Sequence, residues 1–102
     1  MEAYHKSDLF LNDARKAAEA KGYDPKKLTL STNGIHKLSY DSPDGIKHFG
    51  RRGYGDFLYY SRYEPTIANR KRIVFRRSHG AISKIHKLGK YSPNELAINI
   101  LW

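Results

Sequence analysis

The sequence contains no cysteine, so disulfide bonds and thiolate metal sites are excluded. No apolar run approaches the roughly 20 residues that a helix needs to span a bilayer. The first residues also lack the apolar segment of a signal peptide. We therefore expect an intracellular protein with no membrane span. A chain of 102 residues has room for one compact domain, over residues 1–102.

Acidic residues are scarce in the second half of the chain. Residues 1–45 hold seven Lys and Arg side chains and seven Asp and Glu side chains, so this half is neutral. Residues 46–102 hold twelve basic side chains against three acidic ones, and the whole net charge of +9 lies there. No acid occurs between Glu64 and Glu95, where eight Lys and Arg side chains occur. A solvated face could account for this charge, but such segregation favours DNA or another polyanion as partner.

Patterns that indicate catalysis or metal binding are weak. The five histidines, His5, His36, His48, His79 and His86, do not have the spacing of zinc ligands. Asp56 and Glu64 are eight positions apart, which is roughly 12 Å along a helix and too far to share one ion easily. His48, Asp56 and Glu64 would form a metal-dependent nuclease site only if the chain bends to bring them together. We predict no enzyme, no cofactor, no metal and no small-molecule substrate.

Helix and turn signals in the first half predict one helix followed by a hairpin. Ser7 is a good N-cap for a helix with an alanine-rich face that ends at Gly22. Leu28 and Leu30 alternate with polar neighbours, which indicates a short strand. Residues 35–50 predict a β-hairpin around the turn residues 42–45.

The second half predicts further helices. Glycines at 50, 53 and 55 favour a bend, which could also cradle a phosphate, although turning is the simpler interpretation. Asp56 can cap a helix that Pro65 closes, and a second helix is expected from Thr66 to about Ser78, ending at His79-Gly80. Residues 81–91 suggest one or two separate helical turns, and Ser92-Pro93 starts a terminal helix. The fold class is α+β, with an N-terminal helix, a central β-hairpin and two to three C-terminal helices.

Basic residues cluster in the bend and on the expected second helix. Ile67, Val74 and Phe75 lie on one side of this helix, and Arg72, Arg76 and His79 follow at i, i+4 and i+7, which predicts a basic stripe on another side. The side chains that we expect to contact nucleic acid or an acidic partner are Arg51, Arg52, Arg70, Lys71, Arg72, Arg76, Arg77, Lys84 and Lys87.

Aromatic and apolar side chains divide between core and surface roles. We expect Phe57 and Tyr60 in the core. For Tyr59 and Tyr63 the sequence does not decide between a place in the core and a surface position where bases could stack. The terminal segment is apolar and should not remain in water. It either closes the core or docks into a neighbouring subunit, in which case Leu101 and Trp102 are the protein–protein anchor.

An ordered set of short motifs, from about residue 11 onward, resembles a group of small basic proteins. These proteins are encoded by nucleocytoplasmic large DNA viruses and related eukaryotic DNA viruses. The motifs are Gly22-Tyr23-Asp24-Pro25, His48-Phe49-Gly50, Gly53-Tyr54-Gly55-Asp56-Phe57, Arg70-Lys71-Arg72, Ser78-His79-Gly80, Ser92-Pro93-Asn94 and the ending Leu101-Trp102. The resemblance implies a viral setting and supplies no catalytic residue.

The charge and the resemblance together predict a small basic structural protein of a large DNA virus particle, such as a minor capsid or core protein. It would contact DNA or acidic protein surfaces, and other virion proteins could be partners. The alternative is a free nucleic-acid-binding protein that acts in viral replication, transcription or DNA condensation. The expected locations are the virion and the cytoplasm or nucleus of the infected host cell.

Overall fold

The protein folds as helices packed around a three-stranded antiparallel sheet, and the computed structural model describes residues 1–102. The predicted α+β class is confirmed. In chain order the elements are α1 (Glu2–His5), α2 (Asp8–Ala20), a 3-10 turn (Pro25–Lys27), β1 (Leu28–Leu30), β2 (His36–Ser42), β3 (Gly45–Arg51), α3 (Phe57–Tyr63), α4 (Pro65–His86) and α5 (Pro93–Leu96), which continues as a π-helical turn (Ala97–Leu101). No helix is long and apolar enough to cross a membrane.

Strand β2 lies at the centre of the sheet and pairs with β1 on one side and β3 on the other. Leu38 on β2 lies opposite Leu30 on β1 and opposite Phe49 on β3. The β2–β3 connection is a two-residue turn closed by Ser42 and Gly45, and Gly45 has a φ of +122°. This conformation is one that side chains rarely adopt, which explains the glycine. The predicted hairpin is confirmed.

Side-chain caps start α2, α3 and α5 where the sequence predicted them, whereas α4 starts at Pro65 without a side-chain cap and not at the expected Thr66. The Ser7 hydroxyl accepts a hydrogen bond from the backbone N–H of Phe10 (3.2 Å) at the start of α2. The Asp56 carboxylate accepts from Tyr59 N–H (2.9 Å) at the start of α3, and the Ser92 hydroxyl caps α5. Each cap satisfies a backbone donor that the first helical turn leaves free.

Helix α4 corrects the expected break at His79-Gly80, because it runs without interruption from Pro65 to His86. A glycine inside a helix costs only about 1 kcal/mol relative to alanine, which packing easily exceeds. The Asn94 side-chain amide donates to the His79 carbonyl (2.7 Å) and to the Ser83 hydroxyl (2.7 Å), so α5 holds α4 on both sides of the glycine. Lys87, in the left-handed conformation (φ 51°), ends the helix.

The core lies between α2, the sheet and the terminal segment. Its buried hydrophobic members are Tyr4, Phe10, Ala14, Ala18, Tyr23, Leu28, Leu38, Tyr40, Phe49, Leu96, Ile100 and Leu101. Tyr4 reaches it from α1, a short helix that the sequence did not predict. The terminal segment therefore closes the core through three buried side chains, which is one of the two roles that the sequence left open.

The rings of α3 are distributed differently from the expectation. Phe57 and Tyr60 are only half-buried and do not belong to the core, whereas Tyr59 packs directly against it. Tyr63 is 53% exposed. This arrangement arises because α3 turns Tyr59 toward the ring of Tyr4 on α1, which leaves Phe57 and Tyr60 on the side facing α4.

Candidate nucleic-acid interface

A groove of about 780 Å³ lies between β3 and α4, and twenty residues line it. One wall is formed by β2, β3 and the loop that follows β3, and the other wall is the middle of α4. The terminal residues, including Leu101 and Trp102, contribute its floor. We call this feature the basic groove, because none of its twenty lining residues is Asp or Glu.

Three exposed cations line the basic groove: Arg51 at the end of β3, and Arg70 and Lys71 on α4. We call them the groove cations. None of them forms an ion pair with a carboxylate of the protein. Unpaired cations in a concave, acid-free surface create a positive potential that attracts anions. The groove is therefore electrostatically suited to a phosphate-bearing ligand.

Two histidines lie beside Arg51 on the same wall. The rings of His36 and His48 lie 6.2 Å apart between their centroids, and His48 Nδ1 lies 2.8 Å from the Ser31 hydroxyl. Burial, together with the nearby His48 and Arg51, holds the pKa of His36 below its usual value. A bound anion would oppose this effect and favour the protonated ring of His36.

Aromatic rings occupy much of the remaining groove surface. The ring of Phe75 is sandwiched between His79 (centroids 3.8 Å apart, interplanar angle 11°) and Trp102 (4.4 Å, 10°). We call these three rings the α4 stack. Tyr60 lies beside it, 6.3 Å from Trp102, and Tyr54 stands 65% exposed on the opposite wall. Rings next to cations form surfaces on which nucleobases stack.

A buried ionic cluster fixes the wall that carries Arg51. Asp56 is fully buried, and its Oδ2 lies 2.9 Å from Lys37 Nζ on β2 and 2.8 Å from His5 Nε2 on α1. The His5 contact has the distance of an ion pair without hydrogen-bond alignment. Because Asp56 also caps α3, this single carboxylate joins α1, β2 and α3.

Two opposing effects set the pKa values of Asp56 and Lys37: burial favours the neutral forms, and the neighbouring opposite charge favours the charged forms. Burial alone would raise the pKa of Asp56, but the contact with His5 and the charge of Lys37 outweigh it and hold that pKa below its usual value. Burial lowers the pKa of Lys37, and the neighbouring Asp56 carboxylate partly offsets the effect. A charged Lys37–Asp56 pair is the arrangement in which each group compensates the burial of the other.

Two glycines on the β3 side of the groove let neighbouring side chains approach closely. Gly50 has a φ of +74°, and a Cβ at this position would lie 2.6 Å from Leu101 Cδ1. A Cβ on Gly55 would collide with the ring of Tyr60. Both positions therefore need glycine for close packing, and Gly50 needs it for turning as well, which goes beyond the turning role expected from the sequence.

Six of the nine predicted contact residues are exposed and have no carboxylate partner. Besides the groove cations they are Arg77, Lys84 and Lys87 on the outer side of α4 or just after it. Arg52 instead donates to the backbone oxygens of His36 (3.0 Å) and Ser31 (3.3 Å) and is held at the base of the hairpin. The structure brings together only Arg51, Arg70 and Lys71 in one cavity.

The predicted basic stripe on α4 does not face outward, so this part of the prediction is wrong. Arg72 lies 4.3 Å from the centre of the Phe57 ring and donates to the backbone oxygen of Trp102 (2.6 Å). Arg76 Nε is buried without a partner, and burial followed by the charge of Arg72 lowers the Arg76 pKa. Val74, expected on the packed side, is 62% exposed. The stripe thus faces the protein, because arginine can lay its stem and planar head on apolar rings.

The candidate anchor residues differ in accessibility. Leu101 is 1% exposed and lies in the core, so it cannot reach a partner without unfolding the terminal segment. Trp102 is half-buried in the α4 stack and lines the groove. Only Trp102 of this pair is therefore accessible to a ligand or a partner.

The residues considered for a nuclease site have separate surroundings. Asp56 is buried against Lys37, His48 contacts Ser31, and Glu64 is exposed at the end of α3. No group of three or more His, Asp or Glu side chains is placed to hold a metal ion.

Comparison with protein-family models, with curated proteins and with solved structures gives no match for this chain. The resemblance to small basic proteins of large DNA viruses therefore stays a prediction from the sequence pattern.

Sequence reasoning missed the contribution of His36, Tyr54, Tyr60 and Phe75 to the groove. Tyr54 carried a usable signal, since it lies among three glycines and next to two arginines. The others carried none, because their meeting depends on how α3 and α4 are placed relative to the hairpin.

Proposed function

We propose that this protein is a non-enzymatic nucleic-acid-binding protein, and that the basic groove is its binding site. The observation that carries the proposal is the acid-free lining of a cavity of about 780 Å³, in which three unpaired cations and several rings meet. Cations supply the salt-dependent attraction to phosphates, and rings supply contact with bases. A nucleic acid can use both kinds of contact, whereas an acidic protein surface would use chiefly the cations.

The sequence predicts that the protein acts in the particle of a large DNA virus or in the infected cell. The second candidate function is that of a structural protein of the particle. The observation that favours this function is a set of exposed apolar side chains on α4. Ile73, Val74, Ile82 and Ile85 are 42–73% exposed, and such side chains are typical of protein contacts when they cluster. Mass spectrometry of purified particles would test it, and absence of the protein from every layer would contradict it.

The test of the binding site is a pair of charge-reversal variants that change the net charge equally. The groove variant carries Arg70→Glu and Lys71→Glu, and the control carries Lys26→Glu and Lys27→Glu, two exposed cations outside the groove. Both variants are measured by fluorescence anisotropy against a labelled 12-nucleotide oligomer at fixed salt. We expect the groove variant to lose at least about tenfold in affinity and the control to change much less.

Equal losses of affinity in the two variants would mean that net charge alone drives association. The groove would then not be the binding site. Circular dichroism and thermal unfolding of both variants check that the substitutions leave the fold intact. All four substituted side chains are exposed, so little change in stability is expected.

A further inference from the structure

The rings of the basic groove distinguish between the forms of nucleic acid that could occupy it. Tyr54 is 65% exposed, lines the groove and has no ring partner within the protein. The loop from Gly53 to Gly55 presents it on the wall opposite α4. An exposed tyrosine inside a positive cavity offers a free aromatic face to a ligand that has flat rings of its own.

The α4 stack adds a second aromatic surface across the groove. Its three rings are nearly parallel, and Trp102 forms one end of it. The Asn94 side chain holds His79 at the other end, since Asn94 Oδ1 lies 2.9 Å from His79 Nδ1. The stack is thus ordered before any ligand arrives, which lowers the entropic cost of binding.

A duplex cannot use these rings, because the faces of its bases are stacked inside the double helix. A single strand has free base faces and fits a groove that combines cations and rings.

We propose that the basic groove binds single-stranded nucleic acid, with bases stacked on Tyr54 and on the α4 stack and with phosphates facing the groove cations. This inference rests on the proposed function and narrows it from nucleic acid in general to single strands. Stacking tolerates every base, so the groove is expected to show little sequence preference.

The first experiment uses Trp102 as the reporter, since it is the only tryptophan in the chain. Its fluorescence is titrated with oligo(dT) and oligo(rU) of 12 nucleotides, with a 12-unit abasic oligomer and with a duplex of 12 base pairs. We expect the single strands to quench the fluorescence of Trp102. The abasic oligomer should not quench it when anisotropy shows the same fraction of protein bound. Quenching by only one of the two single strands supports the proposal and identifies the sugar that is accepted.

The second experiment compares Tyr54→Ala with Tyr63→Ala. Tyr63 is a matched control, because it is 53% exposed and lies outside the groove. Tyr54→Ala is expected to weaken oligo(dT) binding on the order of 10-fold and to leave abasic-oligomer binding unchanged, whereas Tyr63→Ala should affect neither. Unchanged affinity of Tyr54→Ala for oligo(dT) would overturn the inference.

The outcomes separate this inference from the proposed function. If the duplex binds as tightly as oligo(dT), and the Arg70→Glu, Lys71→Glu variant weakens both, the groove still binds nucleic acid but not through single strands. If no oligomer binds at physiological salt, both the inference and the proposed function are wrong.

Discussion

Replacing Lys37 by methionine tests the buried cluster that fixes one wall of the groove. Methionine keeps the length of the aliphatic stem but removes the ammonium group that lies 2.9 Å from Asp56 Oδ2. Since Asp56 is fully buried and Lys37 is 2% exposed, removing the ammonium group leaves His5 as the remaining side chain beside this buried carboxylate oxygen. Breaking a buried pair in this way costs about 3–5 kcal/mol, which corresponds to a melting temperature lower by about 15 °C or more in a domain of this size.

The measurement is a double-mutant cycle with Lys37→Met, Asp56→Asn and the double variant, unfolded by urea at pH 7. Asparagine retains an oxygen that can cap α3, so the cycle isolates the charges. We expect the double variant to be less destabilised than the sum of the single variants by about 2 kcal/mol or more. Additive effects would refute the reasoning, and Lys47→Met, in an exposed pair with Asp44, serves as the control with little effect.

Lowering the pH gives a second test of the buried pair, because the direction in which stability changes follows from the pKa of Asp56. The pKa of Asp56 is depressed in the folded protein, so its contribution to stability is present above the ordinary carboxyl pKa and is lost as pH falls through the depressed value. Without Lys37, the contact with His5 is the main side-chain effect that still opposes burial, so the pKa of Asp56 should be higher than in the wild type, and protonation would relieve a less compensated charge. The stability difference between the wild type and Lys37→Met should therefore shrink between pH 7 and pH 4, and a constant difference would contradict this account.

Three further predictions concern the backbone and the salt dependence of binding. Gly50→Ala should destabilise the fold by about 1–3 kcal/mol, because its φ is positive and its Cβ would meet Leu101, whereas Gly89→Ala, which meets nothing, should have little effect in the same urea titration. Gly80→Ala should stabilise the protein by about 0.5–1 kcal/mol, since Gly80 lies inside a continuous α4 with open space around it; a loss of stability would contradict the unbroken helix. For a single strand held by the three groove cations, log K should fall with log salt concentration at a slope of about −2, and a slope near zero would exclude phosphate contacts.

Local signals in the sequence were sufficient for most of the fold. Ser7, Asp56 and Ser92 mark helix starts because their side chains satisfy backbone donors within the same turn. The hairpin was predictable because its turn residues favour the conformations that a tight turn needs. These features depend on neighbours close in sequence and on little else.

The errors arose where tertiary packing outweighed local preference. Gly80 indicates a helix end, although contacts from Asn94 on both sides of it hold α4 continuous. The helical spacing predicts Arg72 as a contact to a nucleic acid or an acidic partner, although its guanidinium packs on the ring of Phe57. In both cases a contact with a residue distant in sequence decides the outcome, and periodicity within one helix carries no information about it.

The candidate site was predictable in its charge and not in its shape. The concentration of basic residues after residue 45 indicated a polyanionic partner, and Arg51, Arg70 and Lys71 were among the expected contacts. The sequence could not separate them from Arg52 and Arg72, which bind the protein's own backbone oxygens. That separation requires the position of α4 relative to the hairpin, which only the folded structure supplies.

The most direct test of the central claim is to locate the bound nucleic acid on the protein by ¹H–¹⁵N NMR. The ¹⁵N-labelled protein is titrated with oligo(dT) of 12 nucleotides at physiological salt. The account predicts that the largest shifts fall on the backbone amides of Arg51, Tyr54 and Arg70 and on the indole N–H of Trp102. Shifts that instead map to the α2 surface around Lys16, or that spread evenly over all basic residues, would contradict it.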